Sequence, residues 1–221
     1  MQGRTEETDH GGTMAGQRES AMLATMARMQ DAHNMQVHPE WRKQGYAYYR
    51  AIWVECAEML DHYGWKWWKH QEADLDQVKL ELVDIWHFGL SELLRSETLG
   101  DDVVDVLQRA ATEPSAEGLR LAIEALAASS LESRGFSAEA FGAAMGALPM
   151  DFDELYRLYV GKNVLNHFRQ DHGYKAGSYI KVWHGREDNE HLVELLAGID
   201  LGAADAPEQV YAGLAARYPE G

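Results

Sequence analysis

Two acidic pairs, Glu55–Glu58 and Glu81–Asp84, lie inside otherwise apolar stretches, IWVECAEML and LELVDIWHF, and they restrict the possible folds more than any other feature. Each pair has i,i+3 spacing, which puts both carboxylates on one helix face about one turn apart. Carboxylates are seldom set among Trp, Ile, Val and Phe without something to compensate their charge. Four of them on a shared apolar surface repel one another strongly unless a cation lies between them. The chain is therefore expected to bring two helices face to face with these groups inward, as metal sites in helical bundles are built. Oxygen donors without thiolates suit Mg²⁺, which commonly bridges carboxylates to substrate phosphates. A di-iron bundle would want a Glu-x-x-His in each half; neither pair offers a histidine there.

Composition narrows the partners. The net charge is −16 over 221 residues, which disfavours binding to a nucleic acid at long range. A small polyanion held through Mg²⁺ remains compatible with that charge. Cys56 is the only cysteine, so no intrachain disulfide can form; a buried structural thiol in an intracellular, cytoplasmic setting is the expectation. No apolar run is long enough to cross a membrane. Residues 1–17 are expected to be a mobile extension, and 18–221 a single all-α domain with a helical insert at about 99–149.

Helical periodicity dominates the chain. The patterns predict a helix over 18–36, a second from Pro39 to Tyr63 stopped by Gly64, and a third from a cap at Asp74 to Thr98. The Ala- and Ser-rich stretch 99–149 reads as two or three short helices forming a small subdomain or lid. A further long helix is expected from Asp151 to His172, followed by a glycine-punctuated irregular segment and short helices near 187–197 and 206–217.

Two other signals complement the carboxylates. Between Leu155 and Arg186 stand Arg157, Lys162, Arg169, Lys175, Lys181 and Arg186 against the single acid Asp171. A cation-rich segment facing a metal-rich one is what a triphosphate needs, since its charge must be neutralised from both sides. The second signal is Trp65-Lys66-Trp67-Trp68-Lys69. Three tryptophans in four positions cannot all face inward on one helix, so at least one is free to stack on a base or close a dimer interface.

Together these blocks resemble the all-α, dimeric dUTPase family. The resemblance rests on Gln30 and Asn34, Trp41, Glu55-x-x-Glu58, the Trp65–Lys69 block and Glu81-Leu-Val-Asp84-Ile-Trp-His87-Phe88. It continues through Lys162-Asn163-x-Leu-Asn166-x-x-Arg169-Gln170-x-x-Gly173-Tyr174-Lys175, Tyr179-x-Lys181-x-Trp183 and Glu187-Asp188-Asn189. The ExxE…ExxD part is shared with the wider MazG-like pyrophosphohydrolases. The resemblance implies a bacterial or phage-encoded homodimer that cleaves dUTP, and also dUDP, to dUMP with Mg²⁺, keeping uracil out of DNA. It implies Glu55, Glu58, Glu81 and Asp84 as metal ligands, with Glu55 favoured to activate the attacking water. Lys162, Arg169, Lys175 and Lys181 would grip phosphates, with Tyr174 and Lys66 beside them, while Asp188 and Asn189 help close the site. Gln30, Asn34, Trp65, His87, Phe88 and Asn166 are the implied uracil and deoxyribose contacts. The same chemistry on another deoxynucleotide such as dCTP, or a non-catalytic nucleotide sensor, are the alternatives.

Overall fold

The computed structural model describes residues 11–100, 102–109, 115–201, 203 and 205–219; the first ten residues of the expected mobile extension lie outside them. Among these residues the chain is helical: α1 (Gly11–Val37), α2 (Tyr48–Tyr63), α3 (Leu75–Ser96), α4 (Asp102–Arg109), α5 (Ala116–Ser133), α6 (Ala138–Ala147), α7 (Phe152–Asp171), α8 (Asp188–Gly198) and α9 (Ala206–Ala215). One small antiparallel hairpin, β1 (Val182–Trp183) with β2 (Arg186–Glu187), interrupts them. The all-α class read from the periodicity is the fold observed.

Side chains written into the sequence set most helix ends. Asp74, Ser115, Ser137 and Asp151 accept from the backbone N–H groups of Gln77, Gly118, Ala140 and Glu154, satisfying donors that the first helical turn leaves unpaired. Glu187 and Glu190 form a reciprocal capping box at the start of α8. Gly64, at φ 92°, ends α2, and its carbonyl accepts two bonds from Arg120 of α5.

Two boundaries differ from expectation. Helix α1 begins at Gly11 and not at 18; Met14, Ala15 and Gln17 favour helix in the added turns, while Gly11, Gly12 and Gly16 do not and hide the extension from the sequence pattern. No helix starts at Pro39. Trp41–Lys43 makes a single 3₁₀ turn, Gly45 turns the chain at φ 65°, and α2 starts only at Tyr48. A residue in the left-handed region stops helical propagation. Trp41 is buried there and donates from Nε1 to Asp31 Oδ1 (3.0 Å), pinning the turn to α1.

Helix α3 is the hub. It is buried on nearly every side from Gln77 to Leu93 and packs on α1, α2, α6, α7 and α8. An all-round buried helix carries polar groups only where they are partnered, so Glu81, Asp84, His87 and Ser91 on α3 mark the functional core. Gly89 is where α3 admits Phe136: a Cβ there would stand 2.4 Å from that ring. Phe136, Trp86 and Phe141 then pack with centroids 5.2–6.0 Å apart. Apolar side chains of α4, α5 and α6 thus join the same continuous apolar core as α2, α3 and α7. Cys56 is buried in that core, and burial pushes its thiol up to about 12.

Candidate active site

The α2–α3 hairpin brings Glu55, Glu81 and Asp84 together, one carboxylate oxygen of each lying within 4.8 Å of the others. Glu81 is 5% exposed, far from an ordinary solvated glutamate. Glu58 lies one turn along α2, exposed and outside this trio, yet its charge acts on both Glu55 and Glu81. Burial, and then the charges of Asp84, Glu81 and Glu58, push the Glu55 carboxyl up to about 8, with Lys162 opposing. Glu81 is raised as well, by burial first. The trio is short of positive charge, and its all-oxygen donor set fits a hard divalent cation.

Opposite the carboxylates, α7 supplies the cations Lys162 and Arg169, linked through Asn189 and Asp188 at the start of α8. Lys162 Nζ lies 2.8 Å from Asp84 Oδ2 and donates to Asn189 Oδ1 at 2.9 Å. Arg169 grips the fully buried Asp188 with two bonds, at 2.8 and 2.9 Å, and reaches Asn166 Oδ1 at 3.1 Å. The Tyr179 hydroxyl donates to Asp188 Oδ2 at 2.8 Å. Burial alone would raise the Asp188 carboxyl, but Arg169 and then Tyr179 outweigh it and hold the group below its usual range.

Beside Asp84 a cavity of about 220 Å³ opens between α1, α3 and the start of α2, lined by Gln30, His33, Asn34, Trp41, Tyr48, His87, Phe88, Ser91 and Asn166 among others. Five of the residues implied as base or sugar contacts therefore converge: Gln30, Asn34, His87, Phe88 and Asn166. Trp65 and Lys66 do not join them. They follow the other end of α2, whose 16 residues span ~24 Å, and both are tied to Asp61. Tyr174 and Lys175 line an adjoining groove with His33 and Gln170, while Lys181 is exposed and paired with Glu187.

Sequence reasoning missed Ser91, which orders the pocket. Its hydroxyl donates to the carbonyl of His87 one turn back (2.8 Å), so it can only accept from Gln30 Nε2 (3.0 Å) and Asn34 Nδ2 (2.9 Å). Gln30 Oε1 is thereby turned to His87 Nδ1 at 2.8 Å, and it also accepts from Tyr159 at 2.9 Å. An amide oxygen cannot donate, so Nδ1 carries the imidazole proton. Burial, then His33 and Lys162, lower the His87 pKa far below 6.5, so the ring is neutral. Its Nε2 is left as a bare, buried acceptor without a partner among the described residues. The signal was present as a serine one turn after His87, but a single serine in a helix has no distinctive pattern.

The dUTPase family model matches residues 22–174 of the chain, from within α1 to the turn after α7. No curated protein matches it.

Proposed function

We propose that this chain, which belongs to the all-α dUTPase family and is a dUTP diphosphatase, cleaves the α–β anhydride of dUTP with Mg²⁺ held by Glu55, Glu58, Glu81 and Asp84. The observation that carries this is the convergence of three carboxylates beside a nucleoside-sized cavity, with cations on the opposite wall. When bound, the metal polarises the phosphate oxygens and lowers the pKa of the attacking water. Glu55, which gives up its own proton when the metal binds, is then free to accept one from the attacking water. Lys162 and Arg169 stabilise the charge on the phosphoryl group, and Lys175 and Lys181 on the rim hold the outer phosphates. Water adds to phosphorus, the anhydride bond breaks, and dUMP and pyrophosphate leave; from dUDP the second product is orthophosphate. Anion-exchange separation of the products checks this: both nucleotides are expected to give dUMP, and accumulation of dUDP from dUTP would place the cleavage at the wrong bond.

The bare His87 Nε2 supports a preference for uracil. Uracil presents an N3–H donor, whereas cytosine presents an N3 acceptor that would face another acceptor. A site with a fixed buried acceptor discriminates strongly between the two, so dCTP is expected to compete poorly with dUTP in mixed-substrate assays.

The metal reading also fixes a pH dependence. The Glu55 carboxyl is raised from 4.5 to about 8. The metal-free fold therefore has this group's full contribution below 4.5 and loses it as pH rises through about 8. Metal binding expels the same proton, so affinity for Mg²⁺ should rise about tenfold per pH unit below about 8 and level off above it. Calorimetric titrations with Mg²⁺ at pH 6.5, 7.5 and 8.5 test this; a flat profile would contradict it.

A homodimer is part of the same proposal. Trp53, Trp65, Trp67 and Trp68 are exposed on and after α2, Trp67 by 90%. Trp65 and Trp67 each pack edge to face on Trp68 at 5.3 Å instead of reaching the core. An apolar cluster of this kind suits burial against a second copy, which could also bring Trp65 and Lys66 to a neighbouring site. Sedimentation velocity at micromolar concentration should give a dimer; a monomer alone would exclude it.

A further inference from the structure

We propose that Lys162 is the resident counter-ion of the carboxylate cluster: a divalent cation must displace it from Asp84, and it then passes to the nucleotide phosphates. The proposal rests on the cluster being the metal site. Lys162 is 1% exposed, and a buried ammonium persists only where its charge and hydrogen bonds are compensated. Its two partners differ in kind. Asp84 is charged and belongs to the carboxylate trio, so the ammonium at 2.8 Å competes for lone pairs that a metal would use. Asn189 is neutral, and its Oδ1 also lies 3.4 Å from Arg169 Nη2. Gly161, next to Lys162, lets α8 come close; a Cβ there would stand 2.5 Å from Leu196. Once Asp84 is taken over, Asn189 holds Lys162 beside Arg169. Two cations then share one amide oxygen, and Asp188 balances only one of them. That surplus charge is what a phosphate group neutralises. Metal and nucleotide are thereby linked: each lowers the cost of admitting the other.

The test is Mn²⁺ binding to the full chain without nucleotide, followed by the EPR signal of free Mn²⁺, for wild type and Lys162→Met. Direct competition for the Asp84 oxygen predicts that the variant binds Mn²⁺ about tenfold or more tightly. A change below about threefold, the size expected of a more distant cation's field, would overturn the proposal, as would weaker binding in a folded variant. No Mn²⁺ binding by either protein would instead remove the metal reading, and this inference with it. If Lys162→Met does not fold, ¹⁵N-lysine NMR of the wild type decides. The slowly exchanging buried ammonium signal should shift on adding Mg²⁺; an unchanged signal would show a permanent structural pair.

Discussion

Replacing Glu55 by glutamine is expected to lower kcat for dUTP roughly 10³-fold or more, since it removes both a metal ligand and the proposed base. The fold should survive. Glutamine mimics the protonated carboxyl that burial and three neighbouring carboxylates already favour below about pH 8. In chelator, at pH 7–8.5, the variant should melt at or above the wild-type temperature, because it removes a repulsive charge from the cluster. Asp84→Asn would also abolish turnover, but it strips Lys162 of its anion at 2.8 Å and so should cost stability as well. The contrast between the two variants, inactive and stable against inactive and destabilised, separates chemistry from folding. Pyrophosphate release and thermal melts in EDTA measure both; a Glu55→Gln enzyme with near-wild-type kcat would refute the assignment.

Asp188→Asn should produce the largest loss of stability of any single polar substitution at the site, roughly 3–5 kcal/mol. Asp188 has no exposed side-chain surface and takes both forks of Arg169, while Tyr179 adds a third bond. Asparagine fills the same space but leaves the Arg169 guanidinium, 13% exposed, without its countercharge. The damage should spread, since Arg169 also orients Asn166 on the cavity wall and lies near Asn189, the partner of Lys162. Because Asp188 is held below its usual 3.8, the pair's contribution is present above that value and lost as pH falls through the lowered one. Urea denaturation at pH 7 measures the loss; a variant within about 1 kcal/mol of wild type would mean that the pair is not anchoring α8.

What could be read from the sequence follows from which interactions are local. The helices and the placing of Glu55, Glu81 and Asp84 were legible because i,i+3 spacing in an apolar run suggests both period and face. The same spacing put Glu58 on that face too, yet it is exposed outside the trio. Caps such as Asp74 and Asp151 sit beside the groups they satisfy. The 3₁₀ turn at Trp41 was not legible, because Pro39 signals a helix start as readily as a turn and the deciding contact, Trp41 to Asp31, comes from another helix. Ser91 acquires its role only when α1 delivers Gln30 and Asn34 to α3, across 61 and 57 positions of sequence. Lys162 read as a phosphate cation from local charge alone; its burial against Asp84 depends on how α7 crosses α3. Trp65 and Lys66, adjacent in sequence to the carboxylate helix, lie at its opposite end from the cavity, because a helix of that length carries its two ends far apart.

The most direct measurement of the central claim is pyrophosphate release from dUTP, dCTP, dTTP and UTP, each with and without Mg²⁺. The account predicts strong turnover of dUTP that requires Mg²⁺, with the other three nucleotides far slower. Turnover of dUTP that persists undiminished in chelator, or equal rates on dUTP and dCTP, would contradict it.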